Sequence, residues 1–417
     1  MSQPYLEVQT STWEKDTHGL FDYETKSIKK NSLHITGPCS IYRRNSECFI
    51  PNEADIVGST PLLRIEQKSG EFTANIIANE NGEKMWLVVK HYKGTSGNGF
   101  KLREGDWVKV GRVKLRVQKL SIFNEKAPVG LSEYFFRGID NEEVEIKQEL
   151  EEGKENSPCR ICLVETGTVA DPLICPCKCA GTMKYVHLNC LREWIKSKVS
   201  SRVTEKGMTV YIKDLSCELC NFQLPPFINY QNQQISLISL TFPKKNFILF
   251  EEYRPDRRQR NGYHIVALDD GQNGSIGRGH DCDVKISDIS VSRKHCRIKL
   301  LGTDFYVDDT KSKFGTLVKL SSQLALKSAL DLSVQISRTV FHFSYKIPFT
   351  IKSLCCCLNK KLRIVQDNNN SYFTQPELHQ TFSDGISFRA TMNPVIREEE
   401  EEAEGGGGEL EDNEEEA

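Results

Sequence analysis

The sequence of 417 residues has no long apolar run. No stretch reaches the roughly 18 apolar residues that cross a bilayer as a helix, so we expect no transmembrane segment. The first residues, MSQPYLEVQTSTWEKD, lack both the basic start and the apolar centre of a secretory signal. An excess of either charge is also missing, because 55 Lys and Arg face 57 Asp and Glu. We therefore expect a soluble protein of the cytoplasm, with the nucleus as the alternative, and no nucleic acid partner.

A disulfide framework is absent as well. Of the 15 cysteines, those outside one short segment show no regular spacing, and this includes the run Cys355 to Cys357. Such a pattern argues against a secreted disulfide scaffold and for a reducing compartment. The length predicts two to four domains at roughly 100 to 200 residues each.

What the sequence does contain is a set of eight residues at metal-ligand spacing. They form the pairs Cys159-x2-Cys162, Cys177-x-Cys179, His187-x2-Cys190 and Cys217-x2-Cys220. Cysteine and histidine are the usual ligands of Zn²⁺, and a structural zinc ion is closed by four protein groups. Eight ligands therefore predict two structural Zn²⁺ ions. Because closed sites have no open position for water, this zinc is not expected to act in chemistry.

Two zinc-finger families share this ligand order. PHD fingers usually have two or more residues between the third and fourth ligands and an aromatic residue two positions before the seventh. Here Lys178 alone separates Cys177 from Cys179, seven residues precede His187, and Leu215 stands in place of the aromatic. The block PLICPCKCAGTMKYVHLNCLREWI, with the closing CELC, instead resembles the RING-CH (RING-variant) finger.

The resemblance implies a cross-brace with two ligand sets. The first Zn²⁺ would take Cys159, Cys162, His187 and Cys190, and the second Cys177, Cys179, Cys217 and Cys220. Cys175 is left over as a spectator. RING-CH fingers are modules of ubiquitin ligases that bind a ubiquitin-charged conjugating enzyme and form no covalent intermediate. The family's docking positions are occupied here by Ile161 and Trp194, and the alternative for Trp194 is that it packs beneath the finger. Asn221 departs from the basic residue that many active RING fingers carry after the last cysteine.

A second resemblance lies beyond the finger. The segments SIGRGHDCDVKISDISVSRKHCRIKL and YVDDTKSKFGTLV resemble a forkhead-associated (FHA) domain, a β-sandwich whose loops read phosphothreonine. The resemblance implies a phosphopeptide site formed by Arg278, Ser292, Arg293 and Lys313. His295 would hold the serine loop, and Phe314 replaces a usual asparagine. The alternative is a sandwich in which these residues only hold the loops together.

The sequence also contains a faint internal repeat, because DIVGSTPLLRI (residues 55–65) aligns on DISVSRKHCRI (residues 288–298) without gaps. We therefore expect a multidomain, mostly β protein in which FHA-like β-sandwiches flank a small zinc-stabilised α+β finger. The expected segments are a degenerate FHA-like sandwich at 32–120, an acidic linker at 121–156, the RING-CH finger at 157–226, an FHA domain at 246–348, a C-terminal extension at 349–397, and a disordered acidic tail at 398–417.

Together these resemblances predict a RING-CH ubiquitin ligase whose FHA domain recruits a phosphothreonine-containing protein. Its partners would be a ubiquitin-conjugating enzyme, ubiquitin and the phosphoprotein. The alternative is a non-enzymatic, zinc-binding phospho-adaptor or scaffold protein, which Asn221 and Phe314 favour. Fold analogy alone does not decide between an enzyme and an adaptor.

Overall fold

A computed structural model describes most of the chain up to residue 347. The described residues are 4–15, 19–52, 56–68, 71–77, 84–92, 97–123, 158–213, 215–224, 227–230, 233–238, 244–253, 260–326 and 331–347, and all belong to one compact unit. Most of the expected acidic linker, the C-terminal extension with Cys355 to Cys357, and the acidic tail lie outside the described residues.

The described chain is mostly β, as the sequence predicted, and it consists of a first repeat, a zinc finger and a second repeat. The first repeat, residues 5–121, contains β1 (Tyr5–Trp13), β2 (Ile28–Ile35), β3 (Cys39–Arg44), β4 (Glu47–Phe49), β5 (Thr60–Lys68), β6 (Glu71–Ile76), β7 (Met85–Val88), β8 (Phe100–Lys101), β9 (Trp107–Val110) and β10 (Val113–Ser121). The finger segment contains β11 (Leu173–Ile174), β12 (Val186–His187), α1 (Leu188–Lys198), β13 (Val199–Val203), β14 (Gly207–Lys213), β15 (Phe227–Tyr230) and β16 (Gln233–Ser236). The second repeat, residues 246–346, contains β17 (Asn246–Tyr253), β18 (Arg260–Leu268), β19 (Asn273–Gly277), β20 (Val284–Lys285), β21 (Cys296–Leu301), β22 (Asp304–Asp309), β23 (Thr316–Lys319), β24 (Gln323–Leu326), β25 (Leu332–Ile336) and β26 (Thr339–Lys346).

The two repeats exchange their last three strands. One five-stranded sheet has the order β24-β6-β5-β3-β4, so β24 of the second repeat completes the first. The other has the order β20-β19-β21-β22-β8, so β8 of the first repeat completes the second. The close approach of β8 needs Gly99, which has φ of +95° and whose added Cβ would meet the Val307 carbonyl oxygen at 2.4 Å. Because the two repeats have the same strand order, the last three strands of one repeat can take the place of those of the other.

A twelve-stranded sheet results from the same exchange. Its order is β13-β14-β18-β17-β10-β9-β23-β7-β25-β26-β1-β2, with β23 and β7 antiparallel at the join of the two repeats. The hairpin β9–β10 pairs with β17, and the hairpin β25–β26 pairs with β1. The segments expected at 32–120 and 246–348 thus share their strands, and the first repeat reaches back to Tyr5, well before the expected boundary.

Alternating burial explains why these segments form two-layered sheets. In β1, for example, Leu6 and Val8 are fully buried, while Glu7 and Gln9, which alternate with them, are more exposed. Inward-facing residues of both repeats form one continuous apolar core that contains Leu62, Phe72, Phe250 and Phe305. This burial at every second position is what a half-buried strand requires.

The zinc finger is built onto the outer face of the twelve-stranded sheet. After α1, the chain forms the hairpin β13–β14, and β14 pairs with β18 over seven residues. Leu191 and Ile195 of α1 pack in one core with Tyr263 and Ile265 of β18. The finger and the second repeat therefore share both a sheet and a hydrophobic core.

Candidate zinc centres and phosphopeptide loops

The structure brings together the first expected ligand set. The ligand atoms of Cys159, Cys162, His187 and Cys190 lie within 4.8 Å of one another. Nδ1 of His187 lies 3.1 Å from Sγ of Cys162 and 4.0 Å from Sγ of Cys190. On the other side of the ring, Nε2 lies 3.0 Å from the carbonyl oxygen of Thr166. A proton on Nε2 donated to this carbonyl leaves Nδ1 free as the ligand atom.

The second expected ligand set also converges. The Sγ atoms of Cys177, Cys179, Cys217 and Cys220 lie within 4.8 Å of one another, and those of Cys179 and Cys217 are 3.7 Å apart. Cys175 is half-buried and belongs to neither cluster.

Arg160 connects the two clusters. It lies between ligands Cys159 and Cys162 of the first set, and its Nη1 is 3.4 Å from Sγ of Cys177 and 3.5 Å from Sγ of Cys179 in the second. A guanidinium beside a four-thiolate site offsets negative charge there. The ligand spacing alone does not indicate this role of Arg160, although its place inside the first Cys-x2-Cys pair is a usable sequence signal.

The donor sets fit zinc. For a tetrahedral ion with Zn–S bonds of about 2.3 Å, neighbouring sulfurs are about 3.8 Å apart, and the 3.7 Å between Cys179 and Cys217 agrees with this spacing. Each site has four soft or borderline donors, which leaves no open position. The two sites therefore suit structural zinc and cannot present a metal-bound water.

Two of the ligand cysteines, Cys159 and Cys217, have a pKa below the usual value for a thiol. Burial pushes the pKa of Cys159 upward, but hydrogen bonds from the backbone N–H groups of Cys162, His187 and Ile161 outweigh it and lower that pKa to about 6. In the second site, burial is likewise outweighed by the N–H groups of Cys220 and Leu219, which lower the pKa of Cys217 to about 6. Since the thiolate is the metal ligand, these donors favour metal binding at neutral pH.

The turns formed by the pairs Cys159-x2-Cys162 and Cys217-x2-Cys220, which we call the zinc knuckles, are each followed by a residue with a left-handed backbone conformation. Leu163 has φ of +64° and donates its N–H to Cys159 O, and Asn221 has φ of +54° and donates to Cys217 O. Asparagine is one of the few residues other than glycine that enters this region readily. Asn221 is therefore suited to the backbone of the second knuckle, which gives a local reason for its departure from the basic residue.

The expected docking residues differ in exposure. Ile161 is 47% exposed. Leu219, which lies between Cys217 and Cys220 and was not expected from the sequence, is 58% exposed. Trp194 is only partly buried, since one side packs on the core shared by α1 and β18 and the Lys198 ammonium lies 4.9 Å from its ring centroid. Lys198 also pairs with Glu218 at 2.5 Å, which links α1 to the second knuckle.

The loops at one end of the second repeat bring the four expected phosphopeptide residues into one hydrogen-bond network. The backbone N–H of Arg278 donates to Ser292 O, and its side-chain Nε donates to Val291 O at 3.3 Å. Ser292 Oγ accepts the backbone N–H of Lys313 at 3.1 Å. Arg278, Arg293 and Lys313 are exposed residues at this end of the sandwich. For Arg293, the contact that ties it to this network is its backbone carbonyl, which accepts Gly279 N–H.

His295 joins two of these loops from inside. It is fully buried, its Nδ1 accepts the N–H of Ser292 at 3.1 Å, and its Nε2 lies 3.2 Å from Gly315 O. Burial lowers the pKa of His295, with a smaller opposing effect of the Gly315 carbonyl. The imidazole is therefore neutral, accepts on one nitrogen and donates on the other.

The N-terminal segment that contains Asp22 and Tyr23 contacts one of the loop residues. The Asp22 carboxylate lies 3.3 Å from Nζ of Lys313, and the Tyr23 N–H donates to Lys313 O at 3.1 Å. The Tyr23 ring lies against Gly315, whose added Cβ would meet it at 2.8 Å. This contact was not foreseen from the sequence, because it joins residues almost 300 positions apart.

Among its described residues, the first repeat has no equivalent of the loop that carries Arg278. Only Asn45 and Ser46 separate β3 from β4, whereas the loop between β19 and β20 runs from Arg278 to Asp283. Arg43 lies inside β3, is 8% exposed and donates to Oγ1 of Thr339 at 3.2 Å. The hydroxyl of Ser59 donates to Ile56 O. These contacts favour a scaffold role for the first repeat.

The zinc-finger hairpin braces the Arg278 loop. Arg202 of β13 donates from Nη1 to Cys282 O at 3.1 Å and from Nη2 to His280 O at 2.8 Å. The Thr204 hydroxyl lies within hydrogen-bond reach of Asp283 O, and a Cβ added to Gly207 would meet that oxygen at 2.3 Å. The loop expected to bind phosphate is thus held by the finger.

The ligands of the Cys₃His and Cys₄ sites alternate along the chain, and the finger that they form is joined to a β-sandwich whose loops carry arginine and serine. These features define a cross-braced zinc-finger protein with more than one domain. Comparison with known families agrees: residues 159–220 match the RING-variant domain and residues 274–329 the FHA domain. The chain therefore carries both domains. RING-variant domains bind two zinc ions, and the two clusters are the ones that could hold them.

Several curated relatives match part of this chain. E3 ubiquitin-protein ligase MARCHF7 of Rattus norvegicus is 34% identical over 77 residues, which cover 18% of this chain and 10% of the relative. Probable E3 ubiquitin-protein ligase MARCHF10 of Homo sapiens is 25% identical over 234 residues, which cover 50% of this chain and 26% of the relative. The chain thus matches only about a tenth to a quarter of the length of these relatives.

Among solved structures, the FHA domain of CT664 protein from Chlamydia trachomatis is similar, with 21% identity, coverage of 24% of this chain and 98% of that one, and a TM-score of 0.14. Within the part of the chain that the structure describes, no helix is long and apolar enough to cross a membrane.

Proposed function

We propose that the protein is a RING-CH ubiquitin ligase that binds a ubiquitin-charged conjugating enzyme and favours attack on the thioester by a substrate lysine. The observation that carries this proposal is the complete pair of closed zinc sites in a segment that matches the RING-variant domain. The curated relatives include proteins named E3 ubiquitin-protein ligase and probable E3 ubiquitin-protein ligase. Because four protein groups close each described zinc site and RING-CH fingers form no covalent intermediate, the finger would act by positioning and restraint.

The docking surface for the conjugating enzyme would contain the tips of the two knuckles. Ile161 and Leu219 are exposed apolar side chains in equivalent positions of Cys-x2-Cys pairs, and Trp194 adds an aromatic side chain on α1. Exposed large apolar residues on a small rigid module are typical interface anchors.

The second repeat would recruit the substrate through phosphothreonine. Arg278 offers a permanently charged donor fork, Ser292 a hydroxyl, and Arg293 and Lys313 further positive charge at the same end of the sandwich. Loss of the usual asparagine at Phe314 removes roughly 0.5 to 1.5 kcal/mol of hydrogen bonding to a ligand backbone. Because Asp22 already pairs with Lys313, a phosphate would compete there with a carboxylate.

Autoubiquitination with a panel of conjugating enzymes tests the proposal. The full chain, with zinc content confirmed at two per chain, should form ubiquitin conjugates with at least one enzyme. Asn221→Arg should raise the rate, since a guanidinium can hold ubiquitin and enzyme together, at a modest cost for an arginine in a left-handed conformation. No conjugates with any enzyme would refute the ligase function.

The second candidate is a non-enzymatic phospho-adaptor. The sharing of strands and core between finger and second repeat favours it, because a finger with this role would simply stabilise the sandwich. An adaptor binds phosphothreonine peptides but gives no conjugates in the same panel. We place either form in the cytoplasm, with the nucleus as alternative, which fluorescence microscopy of the tagged full chain tests.

A further inference from the structure

A strip of cationic side chains crosses the outer face of the twelve-stranded sheet between the zinc finger and the N-terminal segment. It is formed by Lys84, Lys109, Lys114 and Lys319, and we call it the lysine strip. Lys109 of β9 is directly opposite Lys114 of β10 on one side and Leu317 of β23 on the other. Lys319 is two residues from Leu317 and so lies on the same face.

The four lysines have no carboxylate partner among the described residues. Lys109 donates to a carbonyl, that of Gly19, at 3.0 Å. Burial, followed by the charge of Lys114, lowers the pKa of Lys109 to about 8. The pKa values of Lys114 and Lys319 are also lowered, first by burial and then by neighbouring lysines of the strip. Like charges placed together on a half-buried surface destabilise the fold unless an anion binds there.

Aromatic residues are interleaved with these cations. Trp86 is opposite Lys319, Trp107 is opposite Arg116, and both indoles are half-buried. The Lys114 ammonium lies 5.9 Å from the ring centroid of Tyr253, which is 52% exposed. The face thus offers positive charge and apolar surface side by side.

We propose that the lysine strip binds an acidic peptide segment of a partner protein, in which carboxylates alternate with apolar side chains. In an extended peptide, alternate residues point to one face, so acidic residues can meet the ammonium groups while their neighbours contact the indoles. The strip crosses only four adjacent strands, roughly 15 Å at a spacing of about 4.8 Å, which matches a short peptide.

The neighbours of the strip fix its limits. Beyond Arg116, on β17, lies Glu251, whose carboxylate accepts a hydrogen bond from Gln118. Its negative charge would repel a long polyanion, such as a nucleic acid, that extended past the strip. On the other side the face is covered by the cluster of Trp13, Phe21 and Leu317. The zinc finger packs farther along the same outer face, so a peptide on the strip holds its protein beside the finger.

This inference goes beyond the proposed function, because the strip includes neither the finger nor the phosphopeptide loops. Its test uses an unphosphorylated fluorescein-labelled peptide of six Glu-Val repeats and the full chain. We expect binding that weakens with salt and falls about tenfold or more in the triple variant Lys84→Gln, Lys114→Gln, Lys319→Gln. Arg278→Ala should bind the peptide like the parent protein.

Matched controls separate the strip from general charge. The triple variant Lys26→Gln, Lys29→Gln, Lys30→Gln removes the same charge, from the edge strand β2 and the residues just before it, and should bind the peptide like the parent. The strip variant should also keep or raise the melting temperature, since it relieves like-charge repulsion; a lower value would contradict the electrostatic premise.

Three binding results would overturn the proposal. They are equal loss of binding in both triple variants, absence of binding by the parent, and tighter lysine-dependent binding of a twelve-nucleotide oligouridine. The proposal would also be overturned if removal of residues 398–417 raised the peptide affinity about tenfold, because the strip would then bind the protein's own acidic tail.

Discussion

The guanidinium of Arg202, in the hairpin of the zinc finger, donates a 3.1 Å hydrogen bond to the carbonyl of Cys282, in the loop that begins with Arg278. A second bond, to His280 O, closes a bidentate contact between finger and sandwich. A residue of the zinc finger thus holds the backbone of the loop that carries Arg278, the arginine proposed to bind phosphate.

Removal of this contact should loosen the phosphate loop. We expect Arg202→Ala to lower the free energy of unfolding by about 2 kcal/mol, because two charge-assisted hydrogen bonds to carbonyls are lost. Phosphothreonine peptide affinity should fall as well, although Arg202 is not expected to touch the peptide. Fluorescence anisotropy with a phosphothreonine peptide library measures this, and an unchanged affinity would show that the loop holds itself.

Zinc content distinguishes ligand from spectator among neighbouring cysteines. Cys177→Ser should reduce bound zinc from two ions per chain to one, since three donors hold a structural zinc ion poorly. Cys175→Ser, two residues away, should retain both ions. Metal analysis of the purified chains checks both, and loss of zinc in Cys175→Ser would place Cys175 in the site.

Phosphopeptide binding should depend on one exposed arginine. Arg278→Ala is expected to weaken phosphothreonine peptide binding by about 2 kcal/mol, or roughly thirtyfold, because a charge-assisted contact to phosphate is lost. Arg297→Ala is the matched control, since Arg297 is also exposed but pairs with Asp308 at 2.8 Å. Calorimetric titration that gives equal affinities for both variants and the parent would refute the phosphate-reading role.

Stability should fall on mild acidification because of His295. Burial lowers the pKa of this imidazole, so the folded protein resists the proton that the unfolded chain takes up near pH 6.5. The unfolded state then binds more protons, and stability declines as the pH falls below about 6.5, by at most about 1.4 kcal/mol per pH unit for this group.

The variant His295→Leu isolates that contribution, because leucine is the residue that the first repeat carries at the aligned position, Leu62. Urea denaturation between pH 5 and pH 8 should show a smaller pH dependence in the variant than in the parent. A dependence that is unchanged would assign the effect to other groups, such as His91, whose pKa burial also lowers.

The sequence predicted local chemistry well and long-range pairing poorly. Both ligand sets followed from spacing and family resemblance, and each one converges in the structure. The exchange of β8 and β24 could not be foreseen, because period-two patterns identify a strand but not its partner. The same holds for the pairing of β14 with β18, which fuses the finger to the second repeat.

Exposure was the other quantity that the sequence could not supply. Ile161 and Leu219 occupy equivalent places within Cys-x2-Cys pairs, yet only the first was singled out. A comparison of the two knuckles would have found the second. The contact of Asp22 with Lys313 had no sequence signal, since it depends on how the N-terminal segment crosses the joined sheets.

The ligase function is tested most directly by single-turnover discharge of ubiquitin from a charged conjugating enzyme onto free lysine. With at least one enzyme, the full chain should accelerate discharge about tenfold or more. Ile161→Ala should abolish the acceleration while zinc stays at two ions per chain, because this side chain is 47% exposed and its truncation removes little buried area. The account would be contradicted if the chain accelerated discharge from no enzyme of the panel, or if Ile161→Ala left the acceleration unchanged.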